Sequence, residues 1–230
     1  VGMSTARPTS VGRVSEITSI TKIRQGFVQP IEVMTRREGD HDVQYVGIDT
    51  AAPPVRYVDN LRMVFELVRL DTSKGNWTPL NDVGTIHFAR WVILPDDEHL
   101  LFCSNFDGSF DQYIHDFVSI ANSGEKTRDN PSGAKWMDMI WGNCVGYPGT
   151  ADFQRFLAYI RDSMVETTLF FPTIDDVTVR DISWLRQFRK HFIAFDEAAQ
   201  GVDPTSWPVE LRSAYDEMKA KINEIDVTDV

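Results

Sequence analysis

The chain is short of cysteine, with Cys103 and Cys144 the only two in 230 residues. Two thiols build neither a disulfide framework nor a four-cysteine metal site. The simplest expectation is a pair of reduced, buried thiols in the cytoplasm. Basic residues are in deficit as well, 23 Lys and Arg against 34 Asp and Glu, for a formal net charge of −11. That balance excludes a broad basic face for gripping phosphate backbones, so no nucleic-acid partner is expected. No run of 18 apolar residues occurs, which excludes a helical membrane span. Walker, GxGxxG, HExxH, EF-hand, GxSxG and CxxC motifs are all missing, and with them the usual support for nucleotide transfer, zinc proteolysis and serine hydrolysis. No metal-ligand set stands out.

What is present is ordinary globular material, 42% hydrophobic and 25% charged. Val1-Gly2-Met3 reads as a tag remnant before an initiator Met3, and residues 3–14 are small, polar and expected to be loosely ordered. Residues 15–200 are expected to form one domain, with 25–57 as an insertion or arm. Residues 201–230 form a C-terminal helix that docks on the core or on a partner subunit.

Within that domain the β-branched run 17–23 predicts a strand. Val58, Leu61, Val64, Phe65 and Val68 recur at helical spacing behind Asp59, a natural N-cap. Two strands, 85–94 and 100–106, are joined by Pro95-Asp96-Asp97-Glu98 and predict a hairpin. Ser109-Phe110-Asp111-Gln112 has the spacing of a capping box. It opens an apolar stripe of Phe110, Tyr113, Ile114, Phe117, Val118 and Ala121. Residues 137–145 predict a further strand, 151–163 a helix burying Phe153, Phe156, Leu157 and Ile160, and 167–171 another strand. Thr178 to Asp181 resembles a second capping box, opening a helix with Ile182, Leu185, Phe188, Phe192 and Phe195 inward. The last helix carries Leu211, Tyr215, Met218, Ile222 and Ile225 in a narrow seam.

The order β-α-β-β-α-β over residues 17–145 predicts an α+β fold with a ferredoxin-like core, followed by an α-β-α extension. Two helices cover one side of such a sheet, and the other side needs a roof. Three segments, Thr85 to Trp91, Leu101 to Ser109 and Trp141 to Pro148, resemble the dimeric α+β barrel superfamily over residues 17–190. The resemblance implies a homodimer in which two such sheets face each other around a small-molecule cavity. That superfamily includes haem enzymes, such as dye-decolourising peroxidases and chlorite dismutases, and cofactor-free monooxygenases.

Strand alternation puts His87, Ala89, Trp91 and Ile93 on one face and Ile86, Phe88, Arg90, Val92 and Leu94 on the other. The second set is the more aliphatic and is expected under the helices; the first is expected to line the cavity. His87, Arg90 and Asp107 are therefore the candidate catalytic residues, Asp107 lying at a strand end just before a helix N-terminus. A packed core histidine and a simple Asp107-Gly108 corner are the competing structural readings. Trp91, Asn105, Trp141, Asn143 and Tyr147 are candidate substrate-binding residues, since aromatic walls with a few polar groups suit small ligands. His191 with Arg189, among aromatics and cations on one helix, is the candidate for holding haem. His115 lies off its helix's apolar stripe, and His41 and His99 fall in predicted loops. The function expected is a small-molecule oxidoreductase with haem as candidate cofactor. The alternatives are a cofactor-free monooxygenase or isomerase, and a binding or assembly protein.

Overall fold

Whether a strand alternates or recurs at helical spacing decides most of this architecture. A computed structural model describes residues 7–38, 41–73, 83–119 and 135–224. The chain forms a mixed α+β fold of two compact units, Val1–Asp175 and Asp176–Val230.

In the first unit, β1 (Thr9–Val11) turns into β2 (Val14–Lys22). The short β3 (Phe27–Val28) and the hairpin of β4 (Ile31–Glu38) and β5 (His41–Ile48) follow. Next come β6 (Val55–Arg56), α1 (Tyr57–Ser73), β7 (Ile86–Ile93), β8 (His99–Asp107), α2 (Phe110–Ser119), α3 (Trp136–Trp141) and α4 (Phe153–Ser163). The central sheet is antiparallel, in the order β1-β2-β8-β7. Residues 25–57 build separate two-stranded pieces, β3 with β6 and β4 with β5. Residues 9–11, expected to be loose, are an edge strand paired with β2 from Val14 to Glu16.

Period-2 alternation is clear in β8. Leu100, Phe102, Ser104 and Phe106 are buried, while Leu101, Cys103, Asn105 and Asp107 are half-buried on the opposite side. The buried row meets the stripe of α2, where Phe106 stacks on Tyr113 at 4.0 Å and Phe102 lies 6.2 Å from Phe117. Tyr113 donates to Ser104 Oγ at 2.7 Å, so the phenol in this core is paired; burial pushes its ionisation well above the usual range.

Two expected strands are not strands. Residues 136–141 form α3, because Met137, Ile140, Trp141 and Cys144 fall at i, i+3, i+4 and i+7, a helical period that a β-rich composition masks. Residues 167–171 have no strand partner, and Leu169 and Phe171 are each 80% exposed. The free edge of β2 is instead filled piecemeal. β1 takes one end, Val165 N–H donates to Thr18 O at 2.9 Å, and Val145 N–H donates to Lys22 O at 2.7 Å.

Helix starts also differ in detail. Asp59 lies inside the first turn of α1, where it accepts from Arg56 and Arg62. At α2 only half of the capping box forms. Gln112 N–H donates to Ser109 Oγ at 3.3 Å, but the Gln112 amide turns to Asp116. Residues 120–134, Ala121 among them, lie outside the described residues.

The second unit is a helical hairpin of α5 (Val179–Ala199) and α6 (Val209–Asn223). Its opening carries the complete capping box, with Thr178 Oγ1 accepting from Asp181 N–H and Asp181 Oδ2 accepting from Thr178 N–H. Phe195, Trp207 and Tyr215 cluster within 5.4–5.6 Å of one another. Ile182, Leu185 and Phe192 of α5, expected inward, are 42%, 49% and 45% exposed. Ile225 lies outside the described residues.

Candidate acid–base site

One end of the central sheet gathers polar chemistry. β8 ends at Asp107, whose N–H donates to Thr85 O at 2.8 Å, and Gly108 then turns the chain into α2 at a φ of +80°. Only a residue without a Cβ takes that corner without strain. Beside it the β1–β2 turn is pressed against residue 175: Arg13 N–H donates to Asp175 O at 2.7 Å. A Cβ on Gly12 would come within 2.2 Å of that same oxygen, so glycine is obligatory there. Ser15 Oγ donates to Gly108 O at 2.9 Å and closes the corner.

His87 reaches this corner because β7 carries a bulge. Ile86 pairs with Phe106 and Phe88 with Asn105, which leaves His87 as the extra residue. The bulge breaks the alternation assumed from sequence. Ala89, Trp91 and Ile93 pack against the core, whereas Phe88 is 76% exposed and Arg90 and Val92 are exposed too. The two faces of this strand are thus the reverse of the expected assignment. His87 nevertheless reaches the half-buried row of β8. Its Nε2 lies 2.7 Å from Asp107 Oδ1, with the two side chains 11% and 12% exposed. A carboxylate on Nε2 keeps the proton of a neutral imidazole there and leaves Nδ1 as the basic nitrogen.

Asn105, the next residue of the same row, lies opposite Glu16 of β2. Glu16 is only 6% exposed and accepts from Thr18 Oγ1 at 3.3 Å. Sequence reading missed this carboxylate, although Glu16 and Thr18 share a face by simple alternation. Arg90 pairs with Cys103 in register and points into solvent, without a contact to His87 or Asp107. Asp107 thus joins His87, Asn105 is its neighbour along β8, and Arg90 stands apart.

The remaining candidates serve the core. Trp91 lies 5.0 Å from Phe102, 6.2 Å from Phe65 and 6.3 Å from Trp141, beneath the helices and away from the site. Trp141 is 1% exposed on α3 rather than on a strand end. Asn143 is buried. It accepts from Asn60 Nδ2 at 2.9 Å and donates to Met139 O at 2.7 Å, tying α1 to α3. Tyr147 donates to Asp138; burial first, and then that carboxylate, hold its phenol well above the usual range. All three belong to packing, because 137–145 is helix and turn instead of strand.

Both cysteines are free thiols, separated by β2. Thr18 Oγ1 lies 3.7 Å from Cys103 Sγ on one side, and Thr21 Oγ1 lies 3.4 Å from Cys144 Sγ on the other. Burial pushes the Cys144 thiol up to about 11.

His191 is half-buried on α5, and Arg189 is exposed. The cavity beside His191 measures about 150 Å³ and is lined by Phe195, Met218, Glu217 and Lys221, the last two ion-paired at 2.6 Å. Pockets for drug-sized ligands run to roughly 300–1,000 Å³. A porphyrin does not fit this hollow. His115 is exposed beside Asp116, its ring edge-on to Phe153 at 5.5 Å. His99 has a partner that the sequence did not suggest, Asp96 at 2.7 Å across the β7–β8 turn. His41 lies on β5, opposite Glu38. Among the described residues, no three His, Cys, Asp or Glu side chains are arranged to hold a metal ion, and no helix is long and apolar enough to cross a membrane.

No protein-family model, curated protein or solved structure matches the chain.

Proposed function

We propose that the chain is a small-molecule enzyme that moves protons without a cofactor, as an isomerase or a cofactor-free monooxygenase does, with His87 as its general base. The observation that carries this reading is the 2.7 Å pair of His87 Nε2 and Asp107 Oδ1 at a sheet corner. A carboxylate fixes the ring, stabilises the imidazolium that forms on proton abstraction, and leaves Nδ1 to act. Glu16 and Asn105, one row along the same sheet face, supply an acceptor and an amide for holding a polar substrate.

Two finer readings go with it. The β2-β8-β7 order, with β7 and β8 joined as a hairpin and α1 and α2 as the crossovers, supports a ferredoxin-like core whose fourth strand is broken into pieces along β2. Exposed Ile20, Phe88 and Val92 on the face away from the core support a homodimer that covers this side. A haem-dependent oxidoreductase has less support, since the hollow at His191 is too small and its lining carboxylate is already paired.

The test uses the full chain with a chelator in D₂O, and a panel of enolisable ketones, 1,3-dicarbonyls and phenols. NMR follows exchange at carbon. Exchange above the protein-free background is expected, reduced about 100-fold or more in His87→Gln. No exchange across the panel, or full exchange in folded His87→Gln, overturns the reading.

A further inference from the structure

At the opposite end of the sheet, the β7–β8 turn and the exit of β2 enclose a cleft of about 210 Å³. Arg24, Phe27, Arg56, Val58, Asp97 and Glu98 contribute to its walls. Val14 of β2 lies opposite Asp107 and Lys22 opposite His99, so this cleft is roughly 25 Å from the His87 corner at about 3.3 Å per residue. It is a separate site and does not depend on the reading of His87.

Arg24 is held in one orientation from several sides. Its backbone N–H donates to Asn143 O at 2.9 Å, and the preceding Ile23 N–H donates to Glu98 O at 2.7 Å. Its Nε donates to Cys144 O at 3.0 Å, and its guanidinium carbon sits 5.8 Å from the centre of the Tyr57 ring. The side chain is half-buried. Among the described residues, nothing accepts from its two terminal nitrogens and no carboxylate lies within ion-pair distance. The other charges of the cleft are largely satisfied. Arg56 is held bidentately by Asp59, Asp97 accepts from Arg62 at 2.5 Å, and Asp96 pairs with His99. What remains is an oriented guanidinium with two amino groups to give, the exposed carboxylate of Glu98, and the ring of Phe27, left 68% exposed at the rim.

We propose that this cleft binds a small monocarboxylate bearing an apolar or aromatic group. The two terminal nitrogens of Arg24 form the fork that a carboxylate matches with two parallel hydrogen bonds. Phe27 and Val58 supply apolar surface for the rest of the molecule. Glu98 and the net charge of −11 oppose a dianion, so a monocarboxylate is selected over a phosphate.

The experiment is a ¹⁵N amide-shift titration of the full chain with phenylacetate, phenethylamine and inorganic phosphate. Phenylacetate is expected to move the amides of residues 24–27 and 96–98 with a Kd of about 1 mM. Phenethylamine and phosphate are expected to bind about tenfold more weakly, or less. Arg24→Gln weakens phenylacetate about tenfold or more, and Arg24→Lys does so too, because a point charge lacks the fork. Phe27→Ala, at an exposed ring whose loss leaves the fold intact, weakens it about threefold or more. If Arg24→Gln fails to fold, the probe ranking and Phe27→Ala decide the matter. The proposal is overturned if phosphate or the amine binds as tightly as phenylacetate, if these amides do not move, or if the folded Arg24 variants or Phe27→Ala bind it unchanged.

Discussion

Helices α2 and α5 carry apolar residues at the same kind of spacing and meet different fates. Phe110, Tyr113, Ile114 and Phe117 of α2 are all buried against the sheet. In α5, which packs with α6, no residue is fully buried, and Ile182, Leu185, Phe192 and Ile193 remain between 39% and 49% exposed. An amphipathic stripe states that a face needs cover; how completely it is covered depends on the width of the layer it meets. A sheet face receives Phe110, Tyr113, Ile114 and Phe117 of α2, whereas its neighbour α6 meets a narrower band of α5.

The sharpest way to break that comparison is to truncate one aromatic in each region. Phe102→Ala removes a ring that touches Trp91, Phe117 and Trp141, and is expected to cost about 3–5 kcal/mol in urea unfolding. Phe192→Ala, at 45% exposure, is expected to cost less than about 1 kcal/mol. Equal losses would mean that the α5 face is buried in solution by another body, and sedimentation at two concentrations would then reveal it.

A smaller effect sharpens the same contrast at the helix starts. Thr178→Ala dismantles a complete capping box and is expected to lower stability by about 1 kcal/mol. Ser109→Ala removes one 3.3 Å bond at α2 and should cost only about 0.5 kcal/mol. The reverse ranking would show that α2 relies on its cap rather than on its buried stripe.

The smallest effect concerns the thiols on either side of β2. At pH 8 and native conditions, a thiol reagent is expected to label half-buried Cys103 and to spare Cys144 until the chain unfolds. Because burial raises the folded Cys144 value to about 11, its neutral form favours the folded state. That contribution is complete below the unfolded thiol's ordinary range near 8.5 and is lost as pH rises towards 11. Cys144→Ala should flatten this part of the stability profile, and an unchanged slope would contradict the burial.

Legibility followed the strength of local signals. The 85–106 hairpin, the 151–163 helix and the Thr178 capping box were all readable, because turn residues, period and caps agreed. The 137–145 segment was misread because its β-rich composition masked the helical spacing of Met137, Ile140 and Trp141. Of the candidate site, His87 and Asp107 were readable as residues suited to acid–base work, but their 2.7 Å meeting was not. It requires a bulge, and nothing in Thr85 to Trp91 announces one. The same bulge takes His87 off the face of Ala89, Trp91 and Ile93, where simple alternation had put it, so Trp91 was placed with the site and belongs to the core. Glu16 and Arg24 passed unnoticed, since a single charge near a strand end looks like any solvated charge until its burial is known.

Composition, period and caps are properties of neighbouring residues, so the amino-acid order alone determined the α+β character, the hairpin and the main helices. Which face of β7 is covered, which carboxylate His87 meets and what Arg24 leaves unpaired depend on residues tens of positions apart. Tertiary structure alone decided those, because burial and hydrogen-bond satisfaction are set by what packs alongside, and no local pattern encodes a distant partner.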